Sequence, residues 1–285
     1  LPTKSEYPSC FAVKYGNTYL FDCCEGAQKQ MQKHGVSFSN VDAVFLTHLH
    51  ADHFLGLFGL MQTMGLHGRS KELLITGPVG TKKFLEAIFS TRELKPSFAV
   101  KVIEASRKKI VFENKLFTVT AFLVEHNTPA LGYALKAVDY TRFYEKKAKA
   151  AGVKGEMFSK LLAEGSIAVD GRKVNAKDVT YTKTGKKIVF TGDTAYCASV
   201  VEEAKDADLL VHDSTFAEGE KQQAVDTKHS TSSDAGRAAK KAAVKQLLLT
   251  HFSARYEKDK SALLGEAKKV FANSLLAKEG LEIIV

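Results

Sequence analysis

Between Thr47 and His53 the chain reads Thr-His-Leu-His-Ala-Asp-His, three imidazoles and a carboxylate in one loop, directly after the apolar run Ala43–Leu46. Such a run, ending at once in polar ligand-type side chains, reads as a buried strand that delivers them to one edge of a sheet. A tight loop lets His48 and His50 point one way and Asp52 and His53 another. Imidazole nitrogen and carboxylate oxygen suit Zn²⁺ at about 2.0–2.2 Å. Four donors are too many for one open catalytic ion that also recruits distant ligands, so the loop predicts two ions sharing it. The alternative, a merely polar loop, does not account for the H-x-H-x-D-H clustering.

A two-ion site needs donors from elsewhere. His126 follows Leu123-Val124-Glu125, Asp193 follows Val189-Phe190-Thr191-Gly192, and His251 follows Leu247-Leu248-Leu249-Thr250. Each comes just after an apolar strand, where ligands of α/β folds gather. The candidate metal ligands are therefore His48, His50, Asp52, His53, His126, Asp193 and His251. Of the nine histidines, His34 and His67 lie at helix ends and read as structural or surface residues.

The rest of the pattern predicts an α/β layered fold with one core. Phe11–Val13 and Tyr19–Phe21 flank Gly16-Asn17 and read as a hairpin. Leu73–Thr76 reads as a strand stopped by Gly77-Pro78, and Leu116–Ala121, Lys187–Thr191, Leu209–Val211 and Leu247–Thr250 as further strands. Helices are expected over Ala27–His34, His53–Leu66, Thr81–Thr91, Arg142–Ala151, Tyr196–Lys205, Ser233–Ala243 and Lys260–Leu276. No internal repeat or low-complexity stretch occurs. Residues 1–285 read as a single domain, broken by a segment from about 138 to 187 that interrupts the strand-helix rhythm and is read as an inserted arm.

That arm is basic. Residues 139–187 hold twelve Lys or Arg against six Asp or Glu, two thirds of the whole-chain excess of +9. A charge run is usually a solvated face, but a concentrated basic segment also suits nucleic-acid phosphates. Hydrophobic residues make up 45% and charged residues 26% of the chain, an ordinary soluble composition that excludes a disordered chain. No run of eighteen apolar residues occurs, so no membrane span is expected. The opening Leu1–Glu6 lacks signal-peptide character. Cys10, Cys23, Cys24 and Cys197 have neither zinc-ribbon nor disulfide-framework spacing and read as reduced thiols of a cytoplasmic protein.

Taken together, Leu20–Gln28, Thr47–Leu57, Gly77–Gly80, Glu125-His126, Leu131-Gly132-Tyr133, Phe190–Thr194, His229-Ser230-Thr231 and Leu249–Tyr256 resemble the metallo-β-lactamase superfamily. Within it, His229-Ser230-Thr231 and His251–Tyr256 resemble the ribonuclease Z family. The resemblance runs along essentially the whole chain. It implies an αββα sandwich carrying an inserted basic arm. It implies a zinc-dependent endoribonuclease that cleaves the 3′ trailer from precursor tRNA and leaves a 3′-hydroxyl on the tRNA.

By that resemblance His48, His50 and His126 hold one Zn²⁺, Asp52, His53 and His251 the other, and Asp193 bridges them; other divalent metals are possible. Asp52 also orients the nucleophile, and His229 is the general acid, in a loop before a helix expected to be capped by Ser232. His212 matches a family position and is read as either an orienting or a structural residue. The arm 138–187 implies a tRNA-elbow clamp, and the family implies a homodimer with no membrane partner.

The sequence departs from the family at Gly152–Met157, which lacks the usual proline, and at Cys24, where glycine is common and a tight turn is in question. It opens at Pro2-Thr3-Lys4, past the family's first strand, and Ser5-Glu6-Tyr7 lacks an Arg-Asn pair common there. The competing readings are a phosphodiesterase or lactonase of the same superfamily acting on small substrates, and a non-catalytic RNA-binding relative.

Overall fold

Tyr19, Phe21 and Phe45 alternate with Leu20, Val44 and Leu46, and this period of two places rings on one face of a sheet and aliphatic chains on the other. In the computed structural model, which describes residues 6–285, that sheet contains β1 (Phe11–Tyr15), β2 (Asn17–Phe21), β3 (Val41–Phe45), β4 (Leu73–Pro78) and β5 (Val100–Ala105) in sequential order. β1 and β2 form the expected hairpin, with Phe11 opposite Phe21, and β2 to β5 run parallel.

The second sheet begins with β6 (Lys109–Glu113), β7 (Phe117–Leu123) and β8 (Leu131–Ala137). The chain then makes β9 (Tyr140–Phe143), β10 (Ser166–Val169), β11 (Arg172–Asn175) and β12 (Thr180–Lys183). It rejoins the second sheet as β13 (Lys187–Phe190), β14 (Leu209–Asp213), β15 (Leu247–Thr250) and β16 (Ser274–Leu276). The seven-stranded order is β16-β15-β14-β13-β8-β7-β6, with β13 to β16 parallel.

The chain divides into two compact units, one of residues up to Lys136 together with Lys187–Val285, the other Ala137–Lys186. In the larger unit the two sheets meet through aromatic rings. Phe21 stacks on Phe190 at 4.0 Å, Tyr19 meets Phe117 edge-on at 4.7 Å, and the buried Tyr133 hydroxyl donates to the Leu46 carbonyl at 2.6 Å. The aliphatic face of the first sheet packs beneath the helices Ala27–Lys33, Gly56–Leu66 and Thr81–Phe89. That of the second packs beneath Ala198–Glu203, Ser232–Lys241 and Ser261–Val270. The result is the αββα sandwich. The smaller unit has its own core of Ala148, Val153, Leu161, Ile167, Val169 and Val179.

Several local expectations need correction. Arg142 and Phe143 are strand, not helix, because β9 pairs with β12, and the helix begins at Glu145. The helix expected over Lys260–Leu276 ends at Val270, and Ser274–Leu276 joins β15 as a strand. The helix expected over His53–Leu66 is two, Ala51–Phe54 and Gly56–Leu66. β4 runs through Gly77-Pro78 before stopping. The cap of Ser232–Lys241 is Thr231, not Ser232: its hydroxyl accepts from the Asp234 N–H, and Asp234 accepts from the Thr231 N–H. Cys24 occupies no left-handed position; the positive φ angles there fall on Asp22 and Gly26. The four cysteines are free. The expectations for Pro2-Thr3-Lys4 and Ser5 lie outside the described residues.

Candidate metal centre

The parallel strands bring their C-terminal ends to one edge, and the polar residues leave the sheets there. Asp22 follows β2, the loop 47–53 follows β3, Asp193 follows β13, Asp213 ends β14 and His251 follows β15. Asp22 and His251 adopt φ angles of 59° and 60°. Left-handed backbone at non-glycine residues carries strain, and the surrounding structure must hold it in place. Gly192, at φ 61°, lies so close to Thr47 that an added Cβ would fall 2.6 Å from the Thr47 Cβ. Glycine there lets Asp193 approach the histidine loop.

One donor atom each from His48, His50, His126 and Asp193 lie within 4.8 Å of one another. The same holds for Asp52, His53 and His251, and for Asp193, Asp213, His229 and His251. Asp193 joins the groups: its Oδ2 is 3.7 Å from His48 Nε2, 3.4 Å from His53 Nε2 and 3.2 Å from His251 Nε2. His48 Nε2, His53 Nε2 and Asp193 Oδ1 are buried and hydrogen-bond nothing. Buried polar atoms without partners are costly, and three that converge within one donor group or its neighbour fit coordination by cations. The donor set, imidazole nitrogen and carboxylate oxygen, fits a dinuclear divalent site.

Behind the donors lies a layer of orienting contacts. Asp22 Oδ2 is 2.7 Å from His53 Nδ1, and its carboxylate also accepts from the Thr47 N–H and hydroxyl at 2.7 and 2.9 Å. His126 Nδ1 donates to the Lys228 carbonyl at 3.1 Å, and His251 Nδ1 lies 2.9 Å from the Thr215 hydroxyl. In each case the ring's Nε2 is left for the centre, the arrangement by which outer partners fix a ligating imidazole.

Electrostatics follow burial. Desolvation pushes the His48 imidazole down to about 2, with His53 adding repulsion. Desolvation lowers His126 as well. Burial would lower His53, but Asp193 and Asp22 outweigh it and raise the ring well above its ordinary value. Burial would raise Asp193, but His251 and His53 hold it well below. A hydrogen bond with His251 lowers Asp52.

His229 stands beside the donors, its ring stacked on His251 at 5.1 Å and edge-on to His126 at 5.0 Å. Its Nδ1 is 2.7 Å from Asp213 Oδ2. Asp213 is itself fixed, accepting from the Thr194 N–H at 3.0 Å and the Thr215 hydroxyl at 2.6 Å. Burial lowers the His229 ring, but Asp213 more than offsets this and raises it.

His212 takes no part in the donor groups. It is fully buried and its Nδ1 bonds the neighbouring Asp213 carbonyl at 2.7 Å. The carboxylate that holds His229 is that of Asp213, one position on, which the sequence did not single out; nor did it single out Asp22 or Thr215. A usable signal was present, since Asp213 ends an apolar strand as Asp193 nearly does. His67 Nδ1 bonds the carbonyl of Thr63 in the preceding turn.

Comparison with known proteins agrees with this geometry. The family described as a beta-lactamase superfamily domain matches residues 17–144 and 170–252. A ribonuclease Z of Methanosarcina mazei is 39% identical over 100% of this chain and 94% of its own length. One of Myxococcus xanthus is 41% identical over 95% and 89%. The crystal structure of the short form of human tRNase Z superposes with a TM-score of 0.70 at 25% identity, covering 98% of this chain and 93% of that one. On full-length similarity and shared fold, this chain belongs to the ribonuclease Z family of the metallo-β-lactamase superfamily.

Proposed function

We propose that this metal-dependent nuclease is a zinc endoribonuclease that removes the 3′ trailer from precursor tRNA, leaving a 3′-hydroxyl on the tRNA and a 5′-phosphate on the trailer. The observation that carries the reading is Asp193 shared between two donor groups, with His229 and its Asp213 partner immediately beside them.

His48, His50 and His126 would hold one Zn²⁺, Asp52, His53 and His251 the other, with Asp193 common to both. When bound, such a pair supplies Lewis acidity to the phosphoryl oxygens and lowers the pKa of water. Asp52 orients the attacking water. His229 has its Nδ1 committed to Asp213, so Nε2 is the nitrogen open to the substrate. That nitrogen gives its proton to the departing 3′ oxygen as the P–O bond breaks. His212 serves the site indirectly, its Nδ1 holding the backbone carbonyl of Asp213.

The basic unit around residues 138–187 contacts the RNA backbone. The protein works in the cytoplasm as a homodimer; no helix among the described residues is long and apolar enough to cross a membrane. The test is incubation of zinc-loaded protein with a precursor tRNA carrying a labelled trailer. Release of an intact 5′-phosphorylated trailer is expected, and uncut precursor would refute the reading.

A further inference from the structure

β9 and β12 pair antiparallel with Tyr140 opposite Lys183 and Arg142 opposite Tyr181. Opposed residues, and residues two apart on one strand, share a face of the ribbon. Tyr140, Arg142, Tyr181 and Lys183 therefore occupy one face, rings and cations on alternate corners, and all four are exposed. Phe143, at the end of β9, points the other way and packs on Phe158 at 4.8 Å in the core of this unit. A solvated ribbon face ordinarily mixes both signs of charge and carries few rings. This one has no acid among its four positions.

The cations stand over the rings. Arg142 Cζ lies 5.4 Å and Lys183 Nζ 5.8 Å from the Tyr140 centroid. Tyr144 extends the surface: its ring is 4.8 Å from that of Tyr181, and Lys147 Nζ is 4.6 Å above it. Tyr140, Tyr144 and Tyr181 are 41%, 44% and 37% exposed, so their rings offer area to a partner.

We infer that this face binds unpaired nucleotides of an RNA strand, bases stacking on Tyr140 and on the Tyr144–Tyr181 pair while phosphates meet Arg142, Lys147 and Lys183. Rings interleaved with cations match the alternation of base and phosphate along a single strand, and every base has a face that stacks. A duplex hides its base faces and offers only backbone to such a surface. The face therefore selects unpaired over paired RNA. The inference rests on the reading that the chain acts on RNA, and it assigns which part of the RNA the inserted unit takes: a loop or single-stranded stretch.

The experiment measures anisotropy of a labelled twelve-nucleotide RNA strand, and of a duplex of equal length, titrated with the zinc-loaded full chain, the RNA being checked intact by gel. Tyr140→Ala and Tyr181→Ala should each weaken single-strand binding about tenfold and leave duplex binding within about twofold. Tyr140→Phe should retain it. Lys183→Ala should weaken both and reduce the salt slope by about one. All three positions are exposed, and unchanged melting confirms that the variants fold. Equal losses on strand and duplex, no loss in the alanine variants, or displacement of the strand by phosphatidylserine vesicles irrespective of those variants would overturn the inference. Tyrosine-dependent strand binding by a protein that leaves precursor tRNA uncut refutes only the proposed function; cleavage with tyrosine-independent binding refutes only this inference.

Discussion

Asp213 holds His229 through a 2.7 Å contact between its Oδ2 and the ring Nδ1, and the same carboxylate is braced by the Thr194 N–H and the Thr215 hydroxyl. The contact fixes the tautomer and turns Nε2 outward. General acid catalysis contributes about 10²- to 10⁴-fold. His229→Ala should lower kcat within that range, and Asp213→Asn should approach it while bound metal stays unchanged. Together the two should lose little more than His229→Ala alone, because one acts through the other. Multiplicative losses in single-turnover assays would mean that Asp213 acts independently of His229.

Asp22 plays the corresponding part behind His53, at 2.7 Å, while bonding the backbone and hydroxyl of Thr47. It thus ties the end of β2 to both ends of the histidine loop. Removing such an outer partner costs about 10- to 100-fold in metal affinity. Asp22→Asn should show that loss in competition with a chromophoric chelator. Unchanged affinity would assign Asp22 to loop structure alone.

Metal removal should destabilise the protein as well as silence it. Without ions, His48 Nε2, His53 Nε2 and Asp193 Oδ1 are left buried and unpaired. A ligand present at about 1,000 times its Kd stabilises the folded state by about 4 kcal/mol. Chelation should therefore lower Tm by several degrees, and two equivalents of Zn²⁺ should restore it. Asp193→Ala should abolish binding of both ions, whereas His126→Ala should release one. Full recovery with one equivalent would argue for a single ion.

The donors were legible because each follows an apolar strand, a local pattern that survives without knowledge of the fold. Asp22 and Asp213 were not, because a carboxylate that orients a histidine has no spacing of its own; only the third dimension pairs residues 31 or 16 positions apart. The α/β layering followed from strand-helix alternation, whereas the αββα sandwich came from the family resemblance. Arg142 and Phe143 were misread as helix because a four-residue strand gains its stability from the partner strand β12, not from its own sequence. Ser274–Leu276 was absorbed into a helix for the same reason, its pairing to β15 being non-local.

The helix behind His229 supplies a pH-dependent element away from the donors. Burial would raise the Asp234 carboxyl, but hydrogen bonds from Arg237 and Thr231 outweigh it and hold it below the ordinary carboxylate range. A depressed folded pKa means the stabilisation is complete above the unfolded value of about 3.9 and is lost as pH falls through the folded one. Breaking a capping box costs about 1 kcal/mol. Asp234→Asn should be destabilised by about that much at pH 7, and the difference should shrink as the pH falls below the unfolded value of about 3.9 and through the folded one. A difference in urea midpoints that does not shrink on acidification all the way to acid unfolding would remove the carboxylate from this role.

The inserted unit can be excised with little strain, because the chain leaves and re-enters the second sheet at adjacent points: the Ala137 N–H donates to the Lys186 carbonyl at 2.8 Å. Its core is its own and draws on Ala148, Leu161 and Val179. Replacing residues 138–185 with a short Gly-containing turn should leave the two sheets and their donor edge intact. Hydrolysis of a small chromogenic phosphodiester should then persist, and metal content should be unchanged. Processing of precursor tRNA should fall by orders of magnitude through KM, since the excised segment carries ten Lys or Arg against six Asp or Glu, +4 of the chain's net +9. Equal loss on both substrates would mean that the unit supports the active centre, and unchanged tRNA processing would mean that it does not touch RNA.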